Sequence, residues 1–315
     1  MRQFSPKFRS ALFAAALFSG AAHAPASAEK YASIVIDADT DEVLHARNAD
    51  AERFPASLTK VMTLYMVFDA LKAGELKLDE RIYVSRNAAR QPPSKLRLKA
   101  GDFISVDDAI RALISKSAND VAVVIAERIG GTEERFAALM TVKAAALGLQ
   151  NTRFYNASGL PDGRQVSTAR DMAKLAEAVL EDHADYYAYF SQRRFSWGRA
   201  TYKNHNELLG TVAGVDGIKT GYTRASGFNL MASAKRDGRR VIAVMLGGRT
   251  SKIRNQHVTD LIEAAFNAID PMEHQTPGLR TQIAFEQITA PPDPNAAATP
   301  TLNGRPLIVA EGDEQ

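Results

Sequence analysis

The sequence predicts an α/β (α+β) protein with one antiparallel sheet that is built from both ends of the chain and flanked by helices. Alternating runs at 33–37 and 42–46, joined by a polar turn, predict a hairpin near the start. Three further strand-like runs follow much later, at 215–222, 228–235 and 239–246. The region between has helical periodicity, so we expect a helical insert that packs against the sheet.

Helices are predicted wherever apolar residues recur at steps of three and four positions. Such segments lie at about 57–72, 105–115, 119–129, 132–147, 168–182 and 252–269. The second begins at Ser105, a favoured N-cap residue, and Asp107 and Asp108 follow in its first turn, where carboxylates stabilise the helix dipole. A cleft is expected between these helices and the sheet, because ligand sites form where such layers meet.

Three short motifs occur in one order and suggest what that cleft does. They are Ser57-Leu-Thr-Lys60, Ser117-Ala-Asn119 and Lys219-Thr220-Gly221. Together they offer a nucleophile, a base and an anion-binding strand edge, which is the equipment of a serine acyltransferase that works without histidine. Each motif alone is weak, since Ser27-Ala-Glu-Lys30 and Ser85-Arg-Asn87 match the first two patterns as well. The local context selects Ser57 and Ser117.

Ser57 and Lys60 lie one turn apart on one face if the segment after Pro55 is helical. Apolar residues flank Lys60, so its amine is expected to be buried and its pKa lowered. A neutral amine beside the hydroxyl would then take the proton of Ser57. The alternative is that Ser57 only caps the helix and that Lys60 is solvated.

The other two motifs are compatible with the same site. Ser117 and Asn119 fall at the junction of two predicted helices, from which polar side chains reach a cleft; the alternative is a capping pair for the second helix. Lys219 and Thr220 offer a charge and a hydroxyl to a carboxylate, and Gly221 lets a ligand backbone approach. Alone, that motif is equally consistent with the end of a surface strand.

The motifs and their flanking residues resemble the penicillin-binding proteins and serine β-lactamases, and more specifically the low-molecular-mass, serine-type D-alanyl-D-alanine carboxypeptidases. The resemblance covers about residues 31–270. The flanking segments that carry it are Ile36-Asp37, Pro55-Ala56, Asn156-Ala-Ser-Gly159-Leu160, Val215-Asp-Gly-Ile-Lys-Thr-Gly-Tyr-Thr223 and Ala225-Ser-Gly-Phe-Asn229. It implies a serine β-lactamase/DD-peptidase-like fold that hydrolyses peptidoglycan stem peptides ending in D-Ala-D-Ala, with β-lactam antibiotics as covalent inhibitors.

The resemblance also implies a role for each matching residue. Ser57 would attack the carbonyl between the two D-alanines, with Lys60 as general base and Ser117 passing a proton to the leaving amine. The residues that would bind substrate are Asn119, Lys219, Thr220, Gly221, Tyr222 and Arg254.

Two of these assignments concern the charges of the substrate. The backbone N–H groups of Ser57 and Tyr222 would form the oxyanion hole, which stabilises charge that develops in the transition state. Tyr222 replaces a histidine found in some relatives, a change that keeps the backbone donor. Arg254 would help bind the terminal carboxylate, and Arg249 is its rival five residues away.

The first 28 residues are predicted to be a signal peptide. Three basic residues in the first nine positions precede an apolar run at 11–22, which is short of the roughly 20 residues of a spanning helix. Ala-x-Ala sites end at Ala24 and Ala28, and we favour cleavage after Ala28; an uncleaved anchor is the alternative. Cleavage lowers the formal net charge from +3 to zero, so the charge gives no support for nucleic-acid binding.

Composition and organisation limit the function further. The chain has no cysteine, which excludes thiol catalysis and thiolate metal sites. Its six histidines lack metal-like spacing, so we expect no metal or other cofactor. We expect His205 to be a surface residue, and a position near the cleft is the alternative. We predict a catalytic domain over 29–270, a Pro/Ala-rich, poorly ordered tail over 271–315, and a periplasmic protein, soluble or loosely associated with wall or membrane, with no spanning segment after signal cleavage.

Three alternative functions remain open. An endopeptidase that cuts D-alanyl cross-links would use the same residues. A β-lactamase would need a carboxylate that activates water for fast deacylation, whereas the loop at 156–163 has Asp162 and no glutamate. A wall-binding scaffold would keep the fold without catalysis, although every catalytic position is present.

Overall fold

The computed structural model describes residues 30–269 and the residue pairs 301–302 and 305–306. Its strands are β1 (Ala32–Asp37), β2 (Val43–Arg47), β3 (Arg81–Tyr83), β4 (Phe103–Ser105), β5 (Arg194–Trp197), β6 (Ala200–Lys203), β7 (Val215–Thr223), β8 (Gly227–Arg236), β9 (Arg239–Gly248), β10 (Thr301–Leu302) and β11 (Arg305–Pro306). The main sheet has five strands in the order β2-β1-β9-β8-β7. All its pairs are antiparallel, which confirms the predicted sheet built from both ends of the chain.

The six longer helices of the described residues agree with the predicted segments to within about two residues, and two short helices are additional. They are α1 (Thr59–Lys72), α2 (Arg86–Arg90), α3 (Val106–Ser115), α4 (Asn119–Gly130), α5 (Glu133–Ala146), α6 (Ala169–Asp182), α7 (Ala184–Tyr187) and α8 (Ser251–Ile269). Ser105 caps α3 as predicted, because its Oγ accepts the N–H of Asp108 at 3.1 Å. The helix predicted from residue 57 begins at Thr59 instead, since Ala56–Leu58 form a 3₁₀ turn.

Several short elements were not predicted. The β3–β4 pair, the β5–β6 hairpin and the helices α2 and α7 are each three to five residues long per segment. Such lengths are too short for apolar periodicity to identify them in the sequence. The predicted signal peptide lies outside the described residues, and so does most of the predicted tail, in which β10 pairs with β11.

The core lies on both faces of the main sheet. Along β1, the buried side chains alternate: Ile34 and Ile36 belong to a large cluster with the helical insert, and Val35 belongs to a second cluster with α8. Each such side chain contributes roughly 1.5–3 kcal/mol when it is fully buried. The sheet is therefore held between two helical layers, and its edge strand β7 borders the turn that precedes α1.

Candidate active site

Ser57 lies in the 3₁₀ turn that leads into α1, and its side chain is half-buried. The turn is fixed to the sheet by Asn229 of β8, which is fully buried. Its Nδ2 donates to the carbonyl oxygens of Phe54 at 3.0 Å and Pro55 at 3.1 Å, and its Oδ1 accepts a main-chain N–H of β9. One amide side chain thus positions the backbone of the candidate nucleophile.

Lys60 is completely buried beneath Ser57. Its Nζ lies 3.3 Å from Ser57 Oγ, 2.8 Å from Asn119 Oδ1 and 2.5 Å from the carbonyl oxygen of Ser158. Burial lowers the pKa of the Lys60 ammonium well below its ordinary value, and the positive charge of Lys219 lowers it further. The expected one-turn spacing and the expected burial of this lysine are both present.

The partners of Lys60 determine where the lone pair of its neutral amine points. The carbonyl oxygen of Ser158 can only accept hydrogen bonds. Asn119 also presents an acceptor, because its Nδ2 donates in the opposite direction to the carbonyl oxygen of Pro92 at 3.0 Å. A neutral amine has two hydrogens for these two acceptors, so its lone pair is left for the hydroxyl of Ser57. This arrangement favours proton transfer from Ser57 to Lys60.

Ser117 and Asn119 occupy the junction between α3 and α4. Ser117 has a positive φ of 57° and a buried Oγ without a hydrogen-bond partner among the described residues. Such an unpaired polar group is costly unless a ligand or a reacting group uses it. The N-cap of α4 is Ala118 without a side-chain bond, so the capping alternative is not what these two side chains do.

The third motif lies on the edge strand β7, directly opposite the nucleophile turn. A Cβ added to Gly221 would lie 3.0 Å from the main-chain nitrogen of Ser57, so only glycine permits this approach without adjustment. Lys219 is buried, and its Nζ donates to the carbonyl oxygen of Thr220 at 2.9 Å. Burial, followed by the charge of Arg254, lowers the pKa of Lys219 to about 7.

These motifs meet in one cleft of about 580 Å³. The predicted site residues that line it are Ser57, Ser117, Asn119, Thr220, Gly221, Tyr222 and Arg254. Lys60 and Lys219 lie behind its wall. The structure therefore brings together all nine residues singled out in the sequence, although Ser57 and Arg254 lie near opposite ends of the described segment 30–269.

Arg254 lines this cleft, whereas its rival Arg249 is not among the lining residues of the described chain. The Arg254 guanidinium is buried and donates from Nη1 to the carbonyl oxygen of Asn229 and from Nε to Asn255 Oδ1, both at 2.8 Å. Burial lowers its pKa to about 10. Tyr222 is 55% exposed and packs on the ring of Phe228, so its side chain forms part of the rim.

Three contributors were not assigned to the site from the sequence. Ser158 supplies a carbonyl oxygen and Asn229 the fixation of the nucleophile turn; both fall inside the flanking segments that carry the resemblance, which was the available signal. His205 is exposed, as expected of a surface histidine, but it lines the cleft. Desolvation of the imidazole ring by the surrounding protein, followed by the charge of Lys219, lowers the pKa of His205 to about 4.

In its fold and in its clustered serine, lysine and edge-strand motifs the chain is similar to the penicillin-binding proteins. The chain matches the Peptidase_S11 family, described as D-alanyl-D-alanine carboxypeptidase, over residues 19–250, and it belongs to that family.

Individual relatives agree with this membership. The D-alanyl-D-alanine carboxypeptidase DacC of Escherichia coli (strain K12) is 39% identical over 247 residues, which are 76% of this chain and 62% of the relative. The chain thus spans about three fifths of that relative's length. Penicillin binding protein 5 from Haemophilus influenzae has a TM-score of 0.72 at 35% identity, covering 75% of this chain and 70% of that one. Penicillin-Binding Protein D2 from Listeria monocytogenes, in a cefotaxime-bound form, has a TM-score of 0.69 at 33% identity, covering 75% and 96%.

Two features are absent from the described residues. No group of three or more histidine and carboxylate side chains in this part of the chain is arranged to hold a metal ion. Among the helices of the same residues, none combines the length and the apolar character needed to cross a bilayer.

Proposed function

We propose that the chain is a serine-type D-alanyl-D-alanine carboxypeptidase that removes the terminal D-alanine of peptidoglycan stem peptides through an acyl-enzyme on Ser57. The observation that carries this proposal is the hydrogen bonding of Lys60, which leaves its lone pair for the Ser57 hydroxyl. The relatives named D-alanyl-D-alanine carboxypeptidase support the choice of substrate. As a member of this group it would act after export, in the periplasm.

The proposed acylation moves one proton through two residues. Lys60 accepts the proton of Ser57, and Oγ attacks the carbonyl carbon of the penultimate D-alanine. The N–H groups of Ser57 and Tyr222 stabilise the oxyanion, an assignment that the close approach of Gly221 to the Ser57 nitrogen supports. The C–N bond then breaks, and the leaving amine receives the proton from Lys60 through the unpaired Oγ of Ser117. Water completes the cycle by the same route in reverse.

Substrate binding falls to the remaining residues of the motifs. Asn119, which lines the cleft, would hold the amide of the acyl part through the second hydrogen of its Nδ2. The terminal carboxylate would lie at the end of the cleft formed by Thr220 and Arg254, with the charge of Lys219 behind them. A cationic surrounding of this kind favours carboxylates, because the low dielectric of a cleft strengthens the attraction.

This assignment predicts a pH dependence of substrate binding. Lys219 is charged below its pKa of about 7 and neutral above it, so affinity for a carboxylate falls as the pH rises through 7. We expect KM for a peptide ending in D-Ala-D-Ala to rise by up to about tenfold per pH unit above that value. Measuring KM from pH 6 to 9 checks it. The Lys219→Arg variant keeps its charge throughout and should lose most of this slope; a flat wild-type profile would contradict the role of Lys219.

The covalent step is tested with a penicillin. We expect intact mass spectrometry to record one adduct per chain, located on the peptide containing Ser57 and persisting for hours. Ser57→Ala should form none, whereas Ser85→Ala, which alters the unrelated Ser-x-Asn sequence, should acylate like the wild type. An adduct on Ser57→Ala would remove the nucleophile assignment, and the absence of any adduct would favour a wall-binding scaffold.

Slow deacylation separates this function from that of a β-lactamase. Asp162 is the carboxylate of the loop at 156–163. Its side chain is partly exposed and forms an ion pair with Arg164 at 2.7 Å. Glu207, the carboxylate among the lining residues of the cleft, accepts a hydrogen bond from Asn255 at 2.7 Å beside Arg254. Both carboxylates are thus engaged by other side chains. Rapid turnover of a β-lactam would overturn this proposal.

A further inference from the structure

Four hydrogen-bonded side chains lie beneath α8, and none of them lines the catalytic cleft. The Oη of Tyr31 is 2.7 Å from Ser33 Oγ and 2.7 Å from His257 Nε2, and Ser33 Oγ is 2.9 Å from His45 Nε2. Tyr31 directly precedes β1, Ser33 lies in β1, His45 in β2 and His257 in α8. We call these four residues the polar network. It connects the first strands of the main sheet with the last helix.

The polar network is buried and uncharged at neutral pH. Ser33 is fully buried, Tyr31 and His257 are nearly so, and His45 is half-buried. Burial is the main cause that lowers the pKa of His45 to about 4, and it also lowers the pKa of His257. A neutral imidazole can donate or accept at Nε2, so each histidine can bond to a hydroxyl group. The His257 ring also meets the Tyr31 ring edge-on, with 5.4 Å between the centroids.

The first two turns of α8 are held to the sheet by polar contacts. Among residues 251–257, Arg254 and His257 are the buried ones, and the first buried apolar residue of the helix is Val258. Arg254 Nη1 donates to the carbonyl oxygen of Asn229 at 2.8 Å, and His257 bonds to Tyr31. Loss of either contact therefore removes a large part of what fixes this end of the helix.

The position of this helix end determines where the Arg254 guanidinium lies. Arg254 and His257 are three positions apart, so their side chains share one face of α8. The helix contacts the sheet closely here, since a Cβ added to Gly248 would lie 3.0 Å from Arg254 Cβ. Arg254 lines the cleft, and a shift of its backbone would move the guanidinium relative to a bound carboxylate.

We infer that His257 is a positioning residue for the substrate carboxylate: its hydrogen bond to Tyr31 fixes the start of α8 and so holds the Arg254 guanidinium in the cleft. This inference rests on the proposed function. The groups that bond to the Lys60 amine all lie on other elements than α8. The polar network therefore affects the binding of a terminal carboxylate and leaves the reaction of the nucleophile unchanged.

The test compares two substrates with the same acyl part. One ends in D-Ala-D-Ala and carries a carboxylate; the other ends in D-alanine methyl ester, which gives the same acyl-enzyme and has no carboxylate. Tyr31→Phe removes only the hydroxyl group. We expect it to raise KM for the first substrate roughly three- to tenfold with kcat unchanged, as the loss of one hydrogen bond does. The value of kcat/KM for the ester should stay at that of the wild type.

Substitutions of His257 test the same bond from its other side. His257→Leu should raise KM for the D-Ala-D-Ala substrate as Tyr31→Phe does, because leucine cannot bond to the hydroxyl group. His257→Gln should keep the wild-type KM, because the glutamine amide reaches the place of Nε2 and can donate or accept there. A His257→Gln variant that behaves like His257→Leu would contradict the inference.

Two control variants separate positioning from stability. Ile262→Val shortens a fully buried side chain further along α8 and should lower Tm without changing KM for either substrate. Gln256→Ala alters the exposed residue before His257 and should change neither quantity. The inference is overturned if Tyr31→Phe leaves both substrates unaffected or slows both equally, or if Ile262→Val reproduces the rise in KM. A wild type that releases no D-alanine would instead refute the proposed function.

Discussion

Replacing Lys60 by arginine is expected to slow the acylation of Ser57 as severely as replacing it by alanine. Burial, followed by the charge of Lys219, lowers the pKa of the wild-type amine and so favours its neutral form, whereas an arginine stays protonated and has no lone pair for the hydroxyl. Loss of a general base costs roughly 10²–10⁴-fold in rate. We expect Lys60→Ala and Lys60→Arg to lower the rate of penicillin adduct formation to that extent, measured by intact mass over time.

A second lysine of the same helix provides the control. Lys72 is exposed at the opposite end of α1 from Lys60, and its Nζ donates to the carbonyl oxygen of Asp182. Lys72→Ala should acylate at the wild-type rate. In the wild type, the acylation rate should rise with pH as Lys60 loses its remaining proton. Acylation by Lys60→Arg at an undiminished rate would show that another group takes the proton of Ser57.

Gly159→Ala is expected to damage both stability and catalysis. Gly159 has a φ of +83°, and an added Cβ would overlap the carbonyl oxygen of Ala56 and lie 2.9 Å from the nitrogen of Ser57. Both clashes involve backbone, so the loop at 156–163 or the nucleophile turn must move. The left-handed conformation costs about 1–2 kcal/mol and the overlap about 1–3 kcal/mol. We expect Tm to fall by roughly 5–15 °C.

The catalytic effect follows from the contacts of the neighbouring residues. Asn156 Oδ1 accepts the N–H of Gly159 at 2.7 Å, and the adjacent Ser158 binds Lys60, so a displaced loop also displaces the base. We expect adduct formation to slow by at least about tenfold, as misplacement of reacting groups by an ångström does. Gly163→Ala in the same loop adds its Cβ to open space and should change neither Tm nor rate. Equal behaviour of the two variants would contradict the steric argument.

The sequence predicted what is local and periodic. The helices and the sheet strands were identified from their apolar periods, and the site residues from motifs whose chemistry requires a serine, a lysine and a strand edge. The 3₁₀ turn at Ser57 and the positive φ of Ser117 were not predictable, because tertiary contacts impose them. The contact between Lys60 and the carbonyl oxygen of Ser158 joins residues 98 apart and has no side-chain signature.

The β5–β6 hairpin illustrates the same limit. Its strands are four residues long, so the opposition of Arg194 and Lys203 follows from a register that periodicity does not reveal. His205 was predicted to lie on the surface, and it does; its place on the cleft wall depends on the path of the segment between β6 and β7. Short connections of this kind are positioned by the scaffold rather than by their own sequence.

Asn229 ties the beginning of the fold to its last strands, and this has a consequence for when the protein becomes active. The amide reaches Pro55 across 174 residues, and β1 pairs with β9 over a similar distance. Synthesis begins at the N-terminus. Ser57, Lys60, Ser117 and Asn119 are therefore made long before β8, the strand whose Asn229 fixes the nucleophile turn. Long loops must close before these contacts form, which slows folding. The proposed hydrolytic activity would therefore arise late, as a property of the finished topology.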